Sequence, residues 1–84
     1  MDEFFKEELE KAKYFMRCDE EHAEYWRGYH KGLHRGNDES FGNETEHQAL
    51  MSISKDEPDM NRRMRAEGYK AGIKAMKTKK SFAP

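Results

Sequence analysis

Cys18 and His22 stand four residues apart, and so do His30 and His34. On a helix, that spacing puts both members of a pair on one face, and two such pairs are the raw material of a tetrahedral zinc site. On one straight helix, however, residue 18 lies about 18 Å from residue 30, at about 1.5 Å per residue. The two pairs cannot share an ion without a sharp bend or a second subunit, so the expectation is that no metal is held and that the histidines are surface residues. A cysteine–histidine nucleophile needs a formed pocket and a third, orienting group, which a thin helical protein does not supply. Glu20, Glu21 and Glu24 are crowded carboxylates, read as a solvated charged face rather than an acid–base pair. No phosphate loop, nucleophile elbow or dinucleotide fingerprint occurs. The expected protein is therefore not an enzyme and carries no cofactor.

What the charges can do is bind. The net charge of −1 conceals four blocks. Residues 1–26 hold nine acids and four bases, 27–36 three bases and no acid, 37–59 seven acids and one base, and 60–84 eight bases and one acid. Segregation on this scale sets up local fields that steer a partner even when the whole is nearly neutral. Arg27, Lys31 and Arg35, with His30 and His34 between them, form one basic group; Arg62, Arg63, Arg65, Lys70 and Lys74 form another. Basic residues interleaved with tyrosine and tryptophan suit RNA or an acidic protein. The competing reading is that these bases pair with the acids between Asp38 and Asp59.

The elements that would position these groups are announced by an internal echo. Arg27-Gly28-Tyr29-His30-Lys31-Gly32-Leu33 is answered by Glu67-Gly68-Tyr69-Lys70-Ala71-Gly72-Ile73. Both read Gly-Tyr-x-x-Gly followed by a large aliphatic residue. A glycine inside a helix costs about 1 kcal/mol relative to alanine, so two at spacing four call for a reason. Close approach of two helices along a glycine groove is that reason; the competing reading is that the glycines mark turns. An antiparallel pair with Gly28 opposite Gly68 places Gly36 near Met60, with Tyr29, Leu33, Tyr69 and Ile73 on the sides. Gly28, Tyr29, Gly32, Gly68, Tyr69 and Gly72 are the expected helix-packing residues.

The doubled Gly-Tyr-x-x-Gly pattern resembles the ribosome modulation factor and small phage proteins with the same two-helix pattern, over roughly Tyr25 to Ala75. The tryptophan or other bulky residue usual before the glycine of the family's second repeat is replaced here by Arg65-Ala66-Glu67, the connection is longer and lacks an Asn-Pro-Tyr-like turn, and the first 24 residues have no counterpart. The resemblance implies a helical hairpin that binds ribosomal RNA or a ribonucleoprotein.

Periodicity completes the architecture. Phe5, Leu9, Ala12 and Met16, then Trp26, Tyr29 and Leu33, recur in steps of three and four, the helical period. The reading is one long helix over residues 1–36, with Asp2 and Glu3 at its positive end, a kink near Cys18 where Arg17 to Glu21 is polar, and a stop at Gly36-Asn37. A connection over 37–57 contains a short helix from Glu44 to Ser52, opened by an Asn43–Glu46 capping box. A last helix runs over 58–76 from Pro58, with Asp56 as its cap, and 77–84 is a basic tail. The class is all-α: a long N-terminal helix and a C-terminal helix as an antiparallel hairpin with a short connecting helix, in one small domain.

At 84 residues with 35% hydrophobic and 39% charged, the core is thin, while ten aromatic residues argue against disorder. One cysteine excludes an internal disulfide and points to a reducing compartment, and no apolar run reaches the roughly 20 residues of a membrane span. A cytoplasmic protein is expected. In the hairpin register above, Phe4, Phe5, Leu9, Phe15 and Met16 extend beyond the last helix. An unpartnered amphipathic helix is unstable alone and must dimerise, fold back or dock in a partner's groove. The primary expectation is a small, phage-type interaction protein that binds and inhibits or modulates a host protein or ribonucleoprotein assembly. The alternatives are an RNA- or ribosome-binding factor and a homodimer.

Overall fold

The computed structural model describes residues 3–82, with side chains through residue 78; Asp2 and the side chains of Lys79 and Lys80 lie outside the described residues. Four α-helices follow one another: α1 Glu3–Cys18, α2 Ala23–Asn37, α3 Glu44–Ser52 and α4 Met60–Phe82, with a short 3-10 turn at Glu20–His22. The all-α class and the packing of the N-terminal helical segment against the C-terminal helix are as expected.

The long N-terminal helix is in fact two. The polar run at Arg17–Glu21 ends α1, and Asp19 takes over as a cap: its carboxylate accepts from the His22 backbone N–H at 3.2 Å and lies 3.0 Å from His22 Nδ1. Such a side-chain acceptor satisfies helix-start donors and lets the backbone turn. The expected kink becomes a full reversal. The Phe5 ring meets His34 edge-on at 5.3 Å, Tyr29 reaches Glu8, and Phe15 stacks on Trp26 at 4.7 Å. Those pairings run in opposite directions along the two helices, so α1 and α2 form the antiparallel hairpin.

The glycine helices pack closely, but in parallel, which corrects the antiparallel register. Gly28 lies against Arg65 and Tyr69, Gly32 against Tyr69 and Gly72, and Gly36 against Ile73 and Met76; partners ascend together along both chains. The connection allows this because α3 carries the chain back along the bundle. Its Asn43 side chain accepts from Glu46 N–H at 3.1 Å, the expected cap, and its bounds match the reading. Helix α4 starts two residues later than expected, with Asp59 rather than Asp56 as the cap: Asp59 Oδ1 accepts from Arg62 N–H at 3.2 Å. It also continues through residue 82 rather than ending at 76. Gly36 stays within α2 as a contact residue, whereas the left-handed glycine is Gly42, at φ 81° in the following loop.

Two groups of buried side chains result. Phe5, Leu9, Ala12, Tyr29, Leu33 and Met76 join α1, α2 and α4. Leu50, Ala66, Tyr69 and Ile73 join α3 to α4. Leu33 is fully enclosed, and its truncation to alanine would cost about 2–5 kcal/mol.

Candidate functional site

The apolar surface expected on the N-terminal segment divides in two. Phe5 and Leu9 are buried in the core, and Phe4 packs against it. The reversal at Asp19 folds this segment back, which removes Phe5 and Leu9 from any surface open to a partner and leaves Phe4 partly buried. Phe15 and Met16 remain half-exposed. Met16 lies beside Arg27, His30, Lys31 and Arg65 in a shallow depression of about 270 Å³.

Four of the eight bases of the expected basic surface are ion-paired within the chain. Glu24 receives Arg65 at 2.6 Å and Arg27 at 2.8 Å, and the hydrogen bond from Arg65 holds its carboxyl below the usual range. Arg35 pairs with Glu44 at 2.7 Å, and Lys31 with Glu46. Acids of the connection therefore hold two bases of α2, as the competing reading of the charge blocks has it. Lys70 Nζ donates to the Ile53 carbonyl at 2.8 Å, and Arg63 Nη1 to the Glu57 carbonyl at 3.3 Å. Arg62 and Lys74 are exposed. The six helix-packing residues are brought together as a single buried seam.

Among the described residues, no group of three or more histidine, cysteine, aspartate or glutamate side chains could hold a metal ion, and no helix is long and apolar enough to cross a membrane. His22 turns to Asp19, while His30 and His34 sit 5.0 Å apart under α1. Burial pushes the pKa of both below the ordinary value, with Lys13 adding to the effect.

What stands out is an aromatic end at the α1–α2 reversal. Phe15 and Trp26 are stacked 20° from parallel. Tyr14 meets Phe15 edge-on at 5.3 Å, and Tyr25 meets Trp26 edge-on at 5.1 Å. Tyr14 is 58% exposed, and the other three are half-buried. The reversal supplies Asp19, Glu20 and Glu21 beside them. Desolvation raises the Asp19 carboxyl, but hydrogen bonds from the His22 side chain and backbone outweigh it and hold the pKa below its usual range. Tyr14, Tyr25 and Trp26 were not expected as binding residues from the sequence. The adjacent pairs Tyr14-Phe15 and Tyr25-Trp26 carry the signal, but it is legible only once the helices are known to reverse between them.

No family model, no curated protein and no solved structure matches this chain.

Proposed function

We propose that this chain is a non-enzymatic interaction protein of the small phage-encoded kind, which binds a host protein or ribonucleoprotein assembly and inhibits or modulates it through the aromatic end of the α1–α2 hairpin. The observation that carries the reading is the exposed Tyr14 ring set against the Phe15–Trp26 stack, with Asp19, Glu20 and Glu21 around it. Tyrosine and tryptophan dominate the energetics of protein interfaces, because they supply a large, rigid contact area with a polar handle. The three acids of the reversal suit a basic protein face.

Four of the bases expected to hold RNA favour this reading too. Arg27, Lys31, Arg35 and Arg65 are each paired with a carboxylate, so a phosphate backbone would have to displace an existing ion pair at each one. The test is capture from a bacterial lysate at moderate salt, with and without nuclease. A stoichiometric protein complex that survives nuclease is the expected result. Loss of the captured material on nuclease treatment, with binding that falls steeply as salt rises, would overturn the reading in favour of RNA.

A further inference from the structure

The two halves of the chain are built alike. Gly28, Tyr29, Gly32 and Leu33 on α2 correspond to Gly68, Tyr69, Gly72 and Ile73 on α4, 40 residues later. Each glycine helix is flanked by the antiparallel helix that precedes it, and each tyrosine hydroxyl reaches that flanking helix: Tyr29 to Glu8 and Tyr69 to His47, both at 2.5 Å. The halves differ at one end. Helix α1 has 16 residues and α3 has 9. In the first half, the last turn of α1 brings Phe15 onto Trp26. At the same offset, the second half has Lys55, in the loop after α3, and Ala66. Between them lies a cleft of about 400 Å³ lined by Ile53, Lys55, Arg63, Ala66, Glu67 and Lys70.

That cleft has an apolar floor, Ile53 and Ala66, and a rim of three bases and one acid. Among the described residues, no carboxylate is ion-paired to Lys55, Arg63 or Lys70, and the two side-chain bonds that Arg63 and Lys70 make go to uncharged carbonyls. We propose that this cleft receives an acidic segment of a protein partner that inserts an aromatic side chain between Ile53 and Ala66, filling the volume that the Phe15–Trp26 stack fills in the other half. The site is separate from the aromatic end and does not depend on it. A protein segment is favoured over RNA because the space is bounded as the missing last turn of a helix would be. Moreover, Glu67 on the rim, with Glu57 close by in sequence, would stand against a continuous phosphate backbone.

The experiment is a titration of the full ¹⁵N-labelled chain, followed by amide NMR shifts, with a terminally blocked Asp-Glu-Trp-Glu-Asp peptide. Control probes are the same peptide with alanine for tryptophan, the Asn-Gln-Trp-Gln-Asn peptide, and an oligouridylate. The expected result is saturable shifts centred on Ile53, Lys55, Ala66 and Lys70, with both control peptides binding at least roughly tenfold more weakly, since both the ring and the charge are required. Lys55→Glu with Arg63→Glu should weaken the acidic peptide by a similar factor at unchanged helical circular dichroism, and Lys55→Gln alone should weaken it less. Shifts centred on Tyr14 and Trp26, equal binding of the control peptides, or binding of oligouridylate in preference to the peptide would each overturn the proposal. The probe is a free peptide, so the result stands whether or not a host protein is captured through the aromatic end.

Discussion

Gly28 and Gly68 face each other's helices reciprocally: a methyl added to Gly28 would stand 2.9 Å from the Tyr69 nitrogen, and one added to Gly68 would stand 2.9 Å from the Tyr29 nitrogen. The same two methyls would also overlap the carbonyl oxygens of Arg65 and Tyr25. The neighbouring atoms are backbone, so no side-chain rotation relieves the clash. Gly28→Ala and Gly68→Ala are therefore each expected to destabilise the fold by about 1–3 kcal/mol through forced separation of α2 and α4, despite the roughly 1 kcal/mol that alanine gains in helix propensity. Urea unfolding checks this as a lower midpoint at unchanged slope. Equal or higher stability of both variants would contradict the parallel seam.

The Tyr29 hydroxyl donates to Glu8, which also holds Lys11 at 2.8 Å. Burial raises the Glu8 carboxyl, but the hydrogen bonds from Lys11 and Tyr29 outweigh it and hold the pKa below the ordinary value. Burial and the Glu8 hydrogen bond push the Tyr29 phenol well above its own. A hydrogen bond to a charged group contributes about 1.5–3 kcal/mol, and less where the charge is only partly buried, as Glu8 is. Tyr29→Phe and Glu8→Gln, combined in a double-mutant cycle, are expected to show a coupling of about 0.5–3 kcal/mol. Additive effects would mean that α1 is not held to α2 by this pair.

His30 and His34 provide the pH dependence. Their pKa values are lowered in the folded chain from the ordinary 6.5, by burial first. Lys13 faces them from α1, Arg27 and Lys31 line the depression beside His30, and the Phe5 and Phe41 rings contact His34. The unfolded chain binds protons more readily than the folded one, so stability is complete above the unfolded value and falls as pH drops through it. The Glu8 and Glu24 carboxyls, also lowered, lose their contribution only at more acidic pH, below the ordinary 4.5. Unfolding measured between about pH 7 and pH 5 should show declining stability. His30→Asn with His34→Asn should flatten that decline; an unchanged decline would place its origin elsewhere.

The sequence marked the glycine seam, the short α3 and its Asn43 cap, because each depends on residues close together in the chain. It did not mark the direction of the seam. Glycines at spacing four present the same groove to a parallel and an antiparallel neighbour, and the choice rests on α3 returning the chain before α4 begins. The reversal at Asp19 was visible only as a polar gap, since an aspartate three residues before a histidine caps a turn without announcing how far the chain will swing. The bridging role of Glu24 was equally hidden: Arg65 lies 41 residues away in sequence. For the same reason Phe5 and Leu9 read as a spare apolar face, although Tyr29, Leu33 and Met76 cover them.

The most direct test of the proposed interaction surface compares the wild-type chain with a Tyr14→Ser, Phe15→Ser variant as nuclease-treated baits in the same bacterial lysate, after circular dichroism has shown both to be helical. If the aromatic end is the contact surface, the wild type retains a stoichiometric host protein and the variant loses it. Equal retention by both baits would contradict the account.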